Sequence, residues 1–375
     1  MELVIGLVVG LVLGIFCSLI PGFNMGLGYL LAPFIPGPRF AIGILIGIDI
    51  TSSSLKHLSL LHSKHREDID ENITQDTNKA ELMYTSMMSY LMMKAAWYGA
   101  LGFAILTQGT NILDIELVRQ LSAVLGMGLW ILLIYASKDW KVAAIGLGFY
   151  IVFTLLIVEL PIQRPIFVLA SSLFSVNLIN EFRYKPEKIE NAEYVNPKEF
   201  KFSGLWAGLV SGFLWGLPTN AVCRLLQEEN ESPSATVSRH AIADAVASAT
   251  GLGLLLTLGR SSNAVAFSIP SIKEVFSSAE CFWLLTTLGV FNIILIYWWG
   301  DITNIYVSIH NKTPHFVLRL IILLTVGSLT MLFNGWFFVI ALIGLILNKI
   351  LKIAEAPREL AWSPIGILAL VKLFI

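Results

Sequence analysis

Apolar runs alternate with short polar breaks along almost the whole chain. The runs cover residues 3–20, 24–35, 40–61, 84–107, 118–136, 140–159, 165–181, 203–217, 219–226, 240–259, 280–298, 316–334, 336–351 and 360–374. A helix rises about 1.5 Å per residue, so most of these runs are long enough to cross roughly 30 Å of hydrocarbon. The period-two alternation of a membrane barrel is absent. Two polar stretches interrupt the pattern: 62–81, which reads HSKHREDIDENITQDTNKAE, and 182–202 near the middle of the chain.

Two runs, 24–35 and 219–226, are too short to span. Each follows a longer run almost directly, through Pro21-Gly22 in one case and Pro218-Thr219 in the other. A re-entrant hairpin that enters and leaves on one side explains both, over 3–35 and 203–230. The alternative is an ordinary span kinked at its proline. With the hairpins set aside, five full spans remain in each half. The predicted fold is therefore an all-α polytopic membrane protein of about ten transmembrane helices plus two re-entrant hairpins. Its parts are a first membrane repeat over 1–181, a cytoplasmic linker over 182–202 and a second membrane repeat over 203–375.

The halves resemble each other in sequence. Gly10–Phe16 (GLVLGIF) matches Gly208–Leu214 (GLVSGFL), Pro21 matches Pro218, and Asn24 corresponds approximately to Asn220. Further on, Phe40-Ala41-Ile42 matches His240-Ala241-Ile242. Matches in order at one offset of about two hundred residues indicate an internal repeat. An odd number of spans per half makes that repeat inverted. Loop charge supports the same threading: fifteen basic residues, among them Lys64, Arg66, Arg183 and Lys185, fall on one face, and five fall on the face of the termini. By the positive-inside rule both termini are expected outside the cell membrane, with the 62–81 and 182–202 loops cytoplasmic.

Composition fits this reading. The 375 residues are 56% hydrophobic and 14% charged, with a mean hydropathy of +0.74. The net charge of −1 gives no sign of a nucleic-acid partner. Cys17, Cys223 and Cys281 are scattered in apolar surroundings, without metal-ligand spacing. No GxxxxGK[ST], HExxH or GxSxG motif occurs. ATP-driven pumping within the chain and the common hydrolases are thus disfavoured, and the chain is expected not to be an enzyme. Ser53 and His57, one helical turn apart, are a possible nucleophile and base pair. No cofactor and no metal are expected.

Candidate chemistry lies where polarity interrupts the apolar runs. Hairpin tips at membrane depth must face protein or a water-filled cavity. Helix N-termini there would offer N–H groups to an anion. Pro21, Gly22, Asn24, Pro218, Thr219 and Asn220 are the tip residues. The span after the first hairpin reads IGIDITSSSLKHLSLLHSK, with Asp49, Ser53, Lys56 and His57 recurring on one helical face and Ser52 nearby. The span after the second hairpin carries Asp244, Ser248 and Thr250, with Arg239 ahead of it and Arg260 at its end. Ionisable groups inside a span are costly and mark function by default. Asp49 and Asp244 are candidates for a coupling Na⁺ or H⁺, and Asp244 is expected near the start of its span. Ser52, Ser53, Lys56, Lys94, Ser248, Thr250 and Arg260 are candidates for anion contacts. An Asp49–Lys56 pair that only holds structure, or a Lys56 that snorkels to water, remains open. Lys94, mid-span in YLMMKAAWYG, either pairs with a carboxylate such as Asp49 or contacts an anion. Gly6/Gly10/Gly14 and Gly204/Gly208/Gly212 read as close helix-packing stripes. Trp298, Trp299 and Trp336 fit an aromatic belt.

The stretches GLVLGIFCSLIPGFN, GLVSGFLWGLP and ADAVASATGLGLLLTLGRSSNAV together resemble the large membrane subunit of tripartite tricarboxylate transporters, in its shorter, archaeal-type form. Gly259-Arg260-Ser261 falls where that family has a Gly-Arg-Ser-type turn. Two features depart from it: Pro218-Thr219 where Pro-Gly is usual, and Asn24-Met25-Gly26 where a more polar run is expected. The resemblance implies a secondary carrier for an organic anion of the carboxylate class, driven by an ion gradient. It also implies a small membrane subunit and a solute-binding protein as partners, beside membrane lipids. A carrier of a polyprenyl phosphate or other lipid phosphate, and a scaffold that transports nothing, are the alternatives.

Overall fold

The computed structural model describes residues 1–19, 37–56, 79–109, 115–135, 137, 139–159, 200–214, 219–228, 231–258, 275–312, 314, 316–317, 320, 324 and 335–353. Among these residues the regular structure is all α-helix, without strands. In chain order the helices are α1 (Glu2–Leu19), α2 (Pro38–Lys56), α3 (Lys79–Gln108), α4 (Ile115–Tyr135), α5 (Trp140–Glu159), α6 (Ser203–Phe213), α7 (Thr219–Leu225), α8 (Pro233–Leu258), α9 (Ser278–Lys312) and α10 (Trp336–Ile353). The expected runs 24–35, 165–181 and 360–374 lie outside the described residues. So does nearly all of 62–81, 182–202 and 316–334.

Helix ends follow local chemistry more than hydropathy. α8 begins at Pro233, ahead of the apolar run at 240, because Ser232 caps it by accepting the Ala235 N–H at 3.2 Å. α9 opens with a reciprocal capping box: the Ser277 N–H donates to Glu280 at 2.9 Å and the Glu280 N–H to the Ser277 hydroxyl at 3.3 Å. α9 then runs on past the expected end at 298, to Lys312. α3 stops at Gly109, which takes a φ of 80° that suits glycine.

Among the described residues, three helical stretches are long and apolar enough to cross a membrane: Trp140–Ile157, Pro233–Leu258 and Ser278–Ile302. The second is 78% buried, against 33% and 28% for the others, so α8 is central while α5 and α9 are peripheral. Their outer faces expose Ile145, Phe149, Leu156, Val290 and Ile293, whereas Ser89, Lys94, Ser238, Arg239 and Thr250 are buried. This apolar-out, polar-in arrangement suits a hydrocarbon solvent and would be costly in water. The described helices thus have the character of a membrane protein.

Small residues set the packing. A Cβ at Gly6 would strike the carbonyl oxygen of Phe40, one at Gly10 that of Ile44, and one at Gly14 the hydroxyl of Thr51. α1 and α2 therefore lie backbone to backbone, and they run parallel. α6 meets α8 the same way, with Gly204 against the carbonyl of Arg239, Gly208 against that of Ala243, and Gly212 against Thr250. This pair is parallel too. Parallel packing of helices that follow one another requires the intervening chain to come back. In the second pair, α7 lies within that return and packs on both α6 and α8. The contact register places Phe40 opposite Arg239 in the comparison of the two pairs. That is one residue off the letter match of Phe40 with His240, because packing follows the carbonyls a glycine can approach and not the side-chain identity.

α3 lies between the two pairs. It is antiparallel to α2, whose Asp49 lies beside Lys94 and Tyr98 while Arg39 pairs with Glu280 near the Phe282 that packs on Gly102 of α3, and parallel to α8, with Ser89 beside Ser238 and Trp97 beside Thr250. On its other side it is antiparallel to α9, where Ala95 approaches Gly289 and Gly102 approaches Phe282. The α1–α2 and α6–α8 pairs consequently run in opposite directions. Trp299 is only 2% exposed and packs with Met83, Met87 and Tyr90, so it belongs to the core and not to an aromatic belt.

Candidate functional site

Tyr90, Lys94 and Tyr98 follow one another at a spacing of four on α3 and share a face. That face meets Asp49 on α2. The Lys94 Nζ donates to Asp49 Oδ2 at 2.6 Å and to the Tyr90 hydroxyl at 2.7 Å. The Tyr98 hydroxyl donates to the same Asp49 oxygen at 3.1 Å. The ammonium also stands 4.8 Å from the Tyr90 ring centroid and 5.8 Å from that of Tyr98, within cation–π range. From the opposite pair, α8 brings the Ser248 hydroxyl to 3.4 Å from that of Tyr90. The Trp97 indole N–H donates to Thr250 at 2.8 Å.

The pair is unequal. The Lys94 side chain is 1% exposed and that of Asp49 30%. A buried ammonium is tolerable only beside an anion, and breaking such a pair strands the buried charge. Asp49 is the more exposed partner. The site is thus a buried cation paired to a more exposed carboxylate, with the Tyr90 and Tyr98 hydroxyls bonded to the pair.

A second buried ion pair lies in the α6–α8 unit. Arg239 binds Glu231 through a short Nη2–Oε1 contact and donates from Nε to the Ser203 hydroxyl at 2.9 Å. It thereby ties the segment after α7 to both α6 and α8. Arg239 Nη1 and Glu231 Oε2 are buried without a hydrogen-bond partner. Nearby at the surface, Lys201 pairs with Glu228 at 3.0 Å. The hydrogen bond and charge of Lys201 hold that carboxyl below the usual glutamate range.

Of the candidate residues, Asp49 and Lys94 are brought together, Ser248 joins them through Tyr90, and Thr250 meets Trp97 instead. Lys94 pairs with Asp49, one of the two partners expected for it. Asp244 is half-buried on α8, one turn before Ser248. Since α8 starts at Pro233, it lies well inside the helix and not near its start. Thr219 and Asn220 open the seven-residue α7 and are half-buried. Ser52, Ser53 and Lys56 continue α2 beyond Asp49, but their side chains, like His57, lie outside the described residues. Pro21, Gly22, Asn24, Pro218 and Arg260 also lie outside them. Among the described residues no group of three or more His, Cys, Asp or Glu could hold a metal ion.

Tyr90, Trp97, Tyr98 and Glu231 were not among the candidates. The i, i+4 spacing of Tyr90, Lys94 and Tyr98 was the available signal, since tyrosines flanking an in-span lysine supply the donors it needs. Glu231 carried none: it follows Gln227-Glu228-Glu229, which reads as a chain leaving for water.

No family model, no curated protein and no solved structure matches the chain.

Proposed function

We propose that the chain is a secondary active carrier for a small organic anion of the carboxylate class, driven by an ion gradient. It would work by alternating access between two inverted membrane repeats of about ten spans and two re-entrant hairpins in all. The observation that carries this reading is the buried Lys94 ammonium, paired to the wetter Asp49 where α2, α3 and α8 meet. A carboxylate that replaces Asp49 at Lys94 would meet the Tyr90 and Tyr98 hydroxyls at once. Two supports accompany it. The α1–α2 and α6–α8 pairs share a packing register and run in opposite directions, as an inverted repeat requires. Their parallel helices require the returning chain that a re-entrant hairpin supplies.

The two halves thus meet at the pair, where a small relative movement would change which side reaches Asp49. The termini are placed outside the cell membrane, by the loop-charge bias.

The test is uptake into liposomes holding the purified protein. Labelled mono-, di- and tricarboxylates are offered with an imposed Na⁺ or H⁺ gradient, and Lys94→Met abolishes uptake. No carboxylate uptake, with transfer of a polyprenyl phosphate between leaflets, would instead identify a lipid-phosphate carrier. Neither activity, with helix packing intact, would leave a scaffold.

A further inference from the structure

We infer that Phe276 is the plug, and Arg39 the latch, of a gate that closes the Asp49–Lys94 site toward the end of the bundle where α2 and α9 begin. What would pass the gate rests on the carrier reading above; the movement itself does not.

α2 and α9 start at the same end, and α3 and α8 finish there, because α3 is antiparallel to the first two and parallel to the last. Just ahead of α9, Phe276 is 7% exposed although the chain there is not yet helical. Its side chain belongs to one buried cluster with Ile42 of α2, Tyr98 and Ile105 of α3, Leu255 of α8 and Cys281 of α9. Tyr98 links this cluster to the ion pair, since its hydroxyl donates to Asp49 at 3.1 Å. Asp49 follows Arg39 by ten residues on α2, roughly 15 Å along the helix. Phe276 therefore stands between this end of the bundle and the site.

Arg39 holds the plug in three ways. Its guanidinium stands 5.6 Å from the Phe276 ring centroid, and Nη2 donates to the Val275 carbonyl at 3.3 Å and to Glu280 Oε1 at 3.0 Å. The other Glu280 oxygen accepts from the Ser277 N–H and hydroxyl, in the cap of α9. One carboxylate so ties the first turn of α9 to α2. This latch is exposed: the Arg39 and Glu280 side chains are 50% and 46% accessible. Water and salt screen such a pair, and losing it shifts an equilibrium by about fivefold at most. The Glu231–Arg239 clasp is buried instead, and breaking it would strand a charge. The exposed pair can open and reclose at small cost, as a gate requires, while the buried one stays shut.

Cys281, fully buried in the plug cluster, reports on opening, and Cys223, fully buried on α7, reports on general unfolding. The experiment exposes the full-length protein in detergent to a neutral, water-soluble maleimide and follows each cysteine by mass spectrometry. In wild type, Cys281 reacts about two- to fivefold faster in about 1 M salt than in low salt, and Cys223 does not. Arg39→Gln and Glu280→Gln reach the faster rate in low salt and lose the salt response; glutamine still serves the capping box. Phe276→Ala speeds Cys281 on the order of a hundredfold, and Phe276→Leu restores a rate near wild type. Cys281 rates that ignore salt, Arg39→Gln and Glu280→Gln overturn the gate, whether or not Phe276→Ala folds. So does a rise shared by Cys223. A rise in Ser277→Ala that Arg39→Gln does not share assigns the exposure to fraying of α9 and overturns the latch. Succinate uptake into liposomes separates the two readings. Uptake by wild type with an unresponsive Cys281 overturns the gate and leaves the carrier, and the expected labelling with no uptake of any carboxylate overturns the carrier and leaves the gate.

Discussion

The α1–α2 and α6–α8 pairs are built alike and used differently. Both bring three glycines, four residues apart, against the backbone of a longer parallel helix, and both seat the last glycine against a threonine. In this shared register Asp49 corresponds to Ser248. The first pair thus offers a carboxylate to Lys94 where the second offers a hydroxyl to Tyr90. The second pair instead buries its charges at the other end, in Glu231–Arg239, where they clasp the segment after α7. Close backbone packing depends only on the absence of side chains, so it survives divergence. A buried charge depends on its individual partner, so each half can lose or relocate it.

The largest break should come from the charge that cannot reach water. Asp49→Ala strands the buried Lys94 and should cost about 3–5 kcal/mol. Lys94→Ala leaves the wetter Asp49 and should cost about 1–3 kcal/mol. Thermal unfolding in detergent measures both, and a reversed order would contradict the assigned burial. Next come the glycines. Gly10→Ala and Gly208→Ala should each lose about 1–3 kcal/mol, because the neighbouring backbone cannot yield. Gly148→Ala, with no atom within 4 Å of its Cβ, should gain up to about 1 kcal/mol. Unequal losses at Gly10 and Gly208 would undo the claim of a shared register.

A swap sharpens the comparison. Asp49→Ser combined with Ser248→Asp moves the carboxylate to the other pair. It should recover about 1–2 kcal/mol of the loss seen in Asp49→Ser alone, through a new charge-assisted bond in the same network. No recovery would mean that Ser248 only borders the site. The smallest effect is expected at Lys201–Glu228. Because Lys201 depresses the Glu228 carboxyl, its contribution is present above the ordinary glutamate range. It fades as pH falls toward the lowered value. Limited proteolysis around 226–232 with an acid-active protease should therefore speed up only once pH falls below the ordinary glutamate range in wild type, and less so in Glu228→Gln.

Much of the frame was legible without coordinates. Helices α1 to α6, α8 and α10 fall on the expected runs, since runs this apolar have few alternatives to helix. The glycine stripes were expected to pack, and they do. α6 ends at Phe213 and α7 opens at Thr219, within the stretch where a hairpin was expected. Asp49 and Lys94 were both singled out, because a charge in an apolar run is conspicuous in one dimension. What composition and spacing determine is the kind of solvent, the helix positions and the residues that need an explanation.

Partnership was decided only in three dimensions. Lys94 is forty-five residues from Asp49 in the chain, and no periodicity within one helix reports on a neighbour. Tyr90 and Tyr98 look like ordinary apolar-run aromatics until α2 supplies a carboxylate for them to hold. Ser248 acquires meaning only because α8 runs parallel to α3, and Glu231 because the chain turns back onto Arg239 before it reaches water. Hydropathy measures each residue's own preference for a solvent. The free energy of a buried charge is set by what faces it across a helix interface, and that is a property of the packed fold.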